Sequence, residues 1–450
     1  MTAAAPPRVD GSDRFRVRRE SRLVRAHARL RVIENQYRLG NLTDVLVAHS
    51  GHGVHMEMER HSPAGYDHHD DTLKGEALYD VYVEMRQECP VKFSDLYGGF
   101  YTLTGYDDVR AVAQNHATFS SAHGILVPEL DRPPFRALEF DPPVHGDHRK
   151  VMVPLLTPGE VSKAEGMIRR NAVELLDAVS GRGECEIIED FSEPFAVGVI
   201  AEVLGITGVA KQRVRELTTD WVRNADTPAG DAAMGAYVAM MIAEVQDRRE
   251  NPREDALTSM TQVKIRGELL PDPELAMYVV TMTLGGHHSL VSALASMAYI
   301  LGSDSTRRDL LIEQPELIPN AVEETLRIYS PLHAIGRKTK CPAQLHGVEL
   351  PADARVMMNF GAANRDPAVF ESPDEFRVER PNANRHLAFG DGIHKCFGMH
   401  LARAEMRIAT EEMLRCLPGL RLAEDVEFSG LQGGFLFSPT AVHVAFTPSN

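Results

Sequence analysis

The stretch Phe389-Gly390-Asp391-Gly392-Ile393-His394-Lys395-Cys396-Phe397-Gly398, followed by Leu401-Ala402-Arg403, decides how this chain is read. It is a glycine-punctuated loop that delivers one cysteine to the start of a helix expected over 397–416, with apolar residues at Leu401, Ala404, Ile408 and Met413. Unpaired N–H groups and the positive end of the helix dipole stabilise a thiolate at such a place. Gly390 and Gly392 permit turn geometry and close backbone approach, as a flat macrocycle requires, and Gly398 leaves room two residues past the sulfur. A thiolate held this way suits an iron at the centre of that macrocycle. Most lone cysteines are buried structural thiols instead, so the surrounding residues have to decide.

Those residues resemble the haem-binding signature of cytochromes P450 (Phe-Gly-x-Gly-x-His-x-Cys-x-Gly, then Leu-Ala-Arg) at every defining position, which makes Cys396 the expected metal ligand. Further segments match the same family in the same order, so the resemblance covers roughly residues 76–450. Glu324-Thr325-Leu326-Arg327 matches the family's Glu-x-x-Arg; by itself this i,i+3 pair could be a surface salt bridge of little worth. The resemblance implies a buried structural lock beneath the haem, completed by Arg380 from Phe376-Arg377-Val378-Glu379-Arg380. Asp141-Pro142-Pro143-Val144-His145-Gly146-Asp147-His148-Arg149 looks like the entry to the family's C helix. There His145 and Arg149, four apart on one face, would reach a haem propionate as charge-assisted donors. Arg337 and His394 are the implied further propionate partners, although Arg337 alone reads equally well as a strand residue at the surface. Phe389, Gly390 and Gly398 complete the expected cofactor cradle, and Asn364-Arg365-Asp366-Pro367 agrees with a structural turn.

One segment departs from the pattern. The stretch from Leu275 to Ser303 carries no formal charge and would be long enough to span a bilayer, but Gly285-Gly286-His287-His288-Ser289 at its centre makes a buried core helix the better reading. By resemblance this helix should carry the oxygen-activation motif, usually Ala/Gly-Gly-x-(Glu/Asp)-Thr. The small pair Gly285-Gly286 is kept, opening a kink or groove, and Ser289 supplies the hydroxyl, but His288 stands where an acid is usual. Monooxygenation needs two protons before the O–O bond breaks, and a histidine can relay them near neutral pH. His288 is therefore a candidate relay and Ser289 a candidate water-holder; both His287 and His288 could equally be satisfied core histidines.

Composition narrows the classes. Of 450 residues, 43% are hydrophobic and 25% charged, ordinary for a globular chain with a large core. A formal charge of −16 argues against general nucleic-acid binding. The five scattered cysteines include no Cys-x-x-Cys pair, which suggests a reducing cytoplasm rather than a disulfide framework or zinc site. The N-terminus shows no apolar signal or membrane anchor. Residues 1–75 differ from the rest: an Arg-rich segment, then His49, His52, His55, His61, His68 and His69, read as a loosely ordered extension whose histidines could catch a metal only adventitiously. From residue 76 the expectation is a single, mainly α domain with a small β component, and the resemblance implies the triangular helical fold of a cytochrome P450 around a buried haem. Helices are expected at 78–87, 106–114, through most of 145–301, and at 319–329; strands at 91–93, 100–103, 343–345 and 354–360.

The resemblance implies a monooxygenase that holds haem b (iron protoporphyrin IX) and inserts one oxygen atom from O2 into an apolar small molecule. Its pocket would be lined by the loop 122–134, by Met282 and Gly285, by Leu332–Ile335, and by the turn Gly433–Phe437, including Leu436, with Phe435 and Phe437 either walls or, as such pairs more often are, plain core. No flavin- or nicotinamide-binding segment and no iron–sulfur cysteine cluster is evident, so a separate ferredoxin with its reductase is the expected electron source. Lys395, Arg403 and Arg407 could form a docking face for it, or be plain solvated charge. A peroxide-driven or non-hydroxylating haem-thiolate enzyme and a non-catalytic haem sensor are the rival readings. His288 raises the first; Cys396, Glu324, Arg327 and Ser289 together argue against the second.

Overall fold

A computed structural model describes residues 65–129, 134–224 and 227–449. The Arg-rich segment and His49, His52, His55 and His61 lie outside the described residues. The chain divides into two compact units, and among the described residues the smaller is Glu216–Glu244. It comprises the end of the helix Gly208–Arg223 and most of the helix Pro228–Glu250. Everything below concerns the larger unit, 59–215 with 245–450.

Helices dominate, as expected. The longest, Asp272–Ser303, is buried along most of its length by Leu275, Val279, Leu294, Ala298 and Leu301. It packs against Glu193–Val203, Ile318–Tyr329 and the cysteine helix Met399–Cys416, which lies in turn on Pro158–Ser180. Neighbouring helices thus cover the long helix on several sides, which explains why most of its length needs no charge. Among the described residues no helix is long and apolar enough to cross a membrane.

The main sheet has five strands in the order Val91–Ser94, Phe100–Leu103, Arg355–Asn359, Ala334–Thr339, Phe119–Ser120. Arg355–Asn359 runs parallel to Phe100–Leu103 and antiparallel to Ala334–Thr339, with Val356 opposite Arg337. Ala334–Thr339 is a strand the sequence pattern did not signal. Its alternation is hidden because both faces are covered, so a run with burial on nearly every residue replaces the usual in–out rhythm. A second small sheet joins Glu184–Glu186, His443–Ala445 and Arg421–Leu422.

Two boundaries shift. The cysteine helix begins at Met399, with Gly398 as its cap, rather than at Phe397. The packed chain reaches back past the expected boundary at 76: Tyr66 and His68 are buried, and the Tyr66 ring lies edge-on to Tyr82.

Candidate active site

The cysteine loop is built by its own backbone. Cys396 N–H donates to Phe389 O at 2.9 Å, and Gly390 N–H donates to Leu387 O at 2.8 Å, closing the turn before the helix. Gly392, at φ +69°, tolerates no side chain, because a methyl group there would lie 2.3 Å from Ala113 O. The loop is thereby pressed onto the helix Tyr106–Gln114, and Arg110 and Gln114 both bind Asp391. Burial pushes the Cys396 thiol upward, while the N–H groups of Gly398 and Met399 and the cations Arg149 and Arg403 pull it down. Donors and cations all favour the thiolate, but burial outweighs them while the sulfur carries a proton; a metal cation in its place reverses the balance.

Beneath the loop, Glu324, Arg327 and Arg380 form one buried unit. Arg327 donates to both oxygens of Glu324 at 2.6 and 2.9 Å, and Arg380 Nε to Glu324 Oε1 at 2.8 Å. The Arg377 N–H joins the same carboxylate at 3.0 Å. The remaining guanidinium donors meet the carbonyls of Asn364, Pro373, Glu375, Glu371 and Ser372. This net ties the helix Ile318–Tyr329 to the meander preceding the cysteine loop. Asn364 continues it, accepting from Leu387 N–H and donating to Ser330 Oγ.

Above the loop, His145 and Arg149 from the helix Val144–Met152, Arg337 from the strand Ala334–Thr339 and His394 from the cysteine loop come together. The His145 and His394 rings stand 4.4 Å apart, and Arg149 donates to Lys395 O. Arg337, only 4% exposed, donates to its neighbour's carbonyl, Gly336 O, and no carboxylate among the described residues forms an ion pair with it. Burial together with Arg337 and the other cations drives His394 down to about 3; burial and Arg149 drive His145 to about 4. His145 Nε2 and His394 Nδ1 have no hydrogen-bond partner. Asp141, the nearby acid, is occupied by Ser120, Ser121 N–H and Lys340. The cluster has donors in excess, and its nearest carboxylates, Asp141 and Glu139, also accept hydrogen bonds from other groups; further carboxylates are what a haem would bring, so the residues present fit that group. Ser121, whose hydroxyl lies 2.9 Å from His394 Nε2, was missed in the sequence: nothing in an isolated Ser-Ser pair signals it.

On the long helix, Gly285 is exposed while its neighbours are half-buried or buried, and a methyl group on it would touch nothing within 4 Å. Gly286 lies against Ile200, whose side chain a methyl group would meet at 3.7 Å. The helix runs unbroken through both, so the expected opening is a groove left by missing side chains and not a kink. His287 is 1% exposed, its Nδ1 unpartnered, and burial with His288 lowers it to about 3. His288 is half-buried, and burial lowers it to about 4. The Ser289 hydroxyl donates back to Gly285 O at 3.1 Å.

The expected pocket segments meet one another. Leu332 pairs with Leu436, His333 N–H donates to Phe435 O at 2.7 Å, and Gly336 N–H to Ile125 O at 2.7 Å. Met282, Ile335 and Leu436 are buried, Leu332 and Phe435 half-buried. Phe437 is not a wall: it is packed among Tyr79, His333 and Phe428 in the core. The expected docking cations also change character, since Arg403 is neutralised by Glu323 and Arg407 by Glu165 and Glu411, whereas Lys395 is exposed. Among the described residues no group of side chains with metal-site geometry, His68 and His69 included, is found.

The fold and a cysteine loop of this geometry define a haem-thiolate protein, and similarity to known proteins agrees. The sequence profile "Cytochrome P450" matches residues 300–417. The steroid C26-monooxygenase of Mycolicibacterium smegmatis is 32% identical over 82% of this chain and 93% of its own length. That of Mycobacterium tuberculosis strain H37Rv is 33% identical over 82% and 94%. Among solved structures, substrate-free cytochrome P450 CYP150A6 of Mycobacterium marinum superposes with a TM-score of 0.78 at 28% identity, covering 86% of this chain and all of that one. CYP109E1 of Bacillus megaterium in complex with testosterone gives 0.74 at 26%, covering 82% and 99%. The chain belongs to the cytochrome P450 family and is a haem-dependent monooxygenase.

Proposed function

We propose that this monooxygenase holds haem b through Cys396 and hydroxylates an apolar substrate of steroid size, in the cytoplasm, with electrons from a separate ferredoxin and its reductase. The observation that carries the haem assignment is the donor-rich cluster of His145, Arg149, Arg337 and His394, with unpartnered ring nitrogens, beside a cysteine loop with helix N–H groups aimed at its sulfur. Phe389, Gly390 and Gly398 would cradle the group from the cysteine side. When bound, a thiolate-ligated haem supplies reductive activation of O2. The protein's share of the chemistry falls to the long helix: Gly285 and Gly286 leave the space, Ser289 holds a water, and His288 passes protons to it. Met282, Leu332, Ile335, Phe435 and Leu436 give the pocket its apolar lining. The steroid-size assignment rests on two relatives named as steroid C26-monooxygenases and on a neighbour solved with testosterone.

The test is the spectrum of the reduced protein under carbon monoxide, followed by titration with testosterone. The expected result is the strongly red-shifted Soret band of a thiolate-ligated ferrous haem, and a low- to high-spin shift on adding steroid. A histidine-type band would overturn the Cys396 assignment. A thiolate band without any steroid-induced shift would overturn the substrate class alone.

A further inference from the structure

His68 and His69, which a metal does not claim, meet at one backbone atom. His68 Nε2 lies 2.6 Å and His69 Nε2 2.9 Å from the same carbonyl oxygen, that of Val127. A ring nitrogen lone pair this close to a carbonyl would be repelled, so both nitrogens carry hydrogen and donate, filling the two acceptor positions of one oxygen. The pair is held from behind. His69 N–H and the Tyr97 hydroxyl both donate to Asp67 Oδ1, at 2.8 and 2.7 Å, and Tyr97 lies edge-on to both imidazoles. On their other side the rings press on Gly434: a methyl group there would stand 2.6 Å from His68 Cδ2 and 2.7 Å from His69 Cε1.

Val127 lies in the described part, 122–129, of one segment read above as a wall of the substrate pocket, and Gly434 in another, the turn Gly433–Phe437. On either side of that carbonyl the loop is held by Gly336 N–H on Ile125 O and by Arg355 on Glu129, with the Val127 side chain buried. Val127, Pro128 and Glu129 border an open cavity of about 550 Å³ shared with Tyr97, Lys338 and Arg355. We infer that His68 and His69 are positioning residues, a two-donor clamp by which the N-terminal segment fixes the loop at Val127 against the turn at Gly434 and so sets how readily the pocket opens. The inference rests on the proposed pocket reading for its consequence, but the clamp itself is a matter of geometry.

The experiment follows backbone amide exchange of the haem-loaded full chain in His69→Ala, His68→Phe and His69→Gln. Loss of one buried donor is expected to speed exchange in 122–129 and 431–436 on the order of fivefold, with the rest of the chain unchanged. His69→Gln, which keeps an N–H donor, should stay near the parent. In parallel, binding of 4-phenylimidazole, read by its Soret shift in stopped flow, should become several-fold faster in the first two variants while the reduced carbon monoxide spectrum keeps its position. Unchanged exchange in both segments, or exchange raised evenly across the whole chain, would overturn the clamp. Local exchange rising while the inhibitor binds at the parent rate would overturn the link to pocket opening and, with it, the placing of that loop at the pocket.

Discussion

At Ser289 a side chain and its own helix compete for one proton. The hydroxyl donates to Gly285 O, a back-bond open to Ser and Thr in any helix, and its oxygen remains able to accept. The neighbouring His288 is held neutral by burial, so it can take up and release a proton without an uncompensated buried charge at rest. Replacing His288 by Phe keeps the volume and removes the relay. The expected outcome is intact substrate-induced spin shift with product per electron falling roughly a hundredfold, the low end of what general acid–base groups contribute. Equal coupling in parent and variant, measured as product against reductant consumed, would exclude His288 as the relay. His287 illustrates what sequence could not separate: adjacent and chemically identical, it is a core residue because one helix step of about 100° turns it into the protein.

At the level of elements, Glu324 joins a helix to the meander by accepting from two guanidinium groups and a backbone N–H, all buried. Its removal leaves two cations without a counterion. Glu324→Ala is expected to cost about 3–5 kcal/mol, against a smaller loss for Glu324→Gln, which keeps an acceptor. Denaturant unfolding of the haem-loaded protein measures both, and equal, small losses would show that the lock is not holding these elements together. The lock was legible because Glu-x-x-Arg places both groups on one face. Its third member, Arg380, rested on resemblance alone, since no local rule links residues 56 positions apart. The strand carrying Arg337 was not legible either: its neighbours in the sheet come from distant parts of the chain, and they alone convert a surface-looking Arg into a buried one.

For the molecule as a whole, several buried histidines share one sign. His287, His333 and His394 are lowered to about 3, and His68, His145 and His288 to about 4, with burial the leading cause in each. The unfolded chain titrates these groups near 6.5, so between about pH 6.5 and 4 it binds more protons than the folded chain. Their folded-state neutrality contributes stability that is present above the unfolded value and lost as pH falls. The haem-free protein is therefore expected to lose a few kcal/mol between pH 6.5 and 4, seen as a falling unfolding midpoint. Haem loading should soften the loss, because carboxylates placed beside His145 and His394 raise the pKa of both. Parallel pH profiles with and without haem would contradict that placement.

The helical character of the chain was legible in the sequence itself, and the cysteine loop and the lock were marked by their resemblance to the family's motifs. Each rests on residues within about one helical turn of one another or on a loop whose glycines leave few conformations. Only the tertiary structure decided that Arg337 is buried without an ion pair among the described residues, that Phe437 belongs to the core, that Arg403 and Arg407 are already neutralised, and that His68 and His69 grip Val127. Glu323 beside Arg403, Glu165 beside Arg407 and Val127 beside His68 are far apart in the chain, and charge and burial there depend on what folding brings alongside.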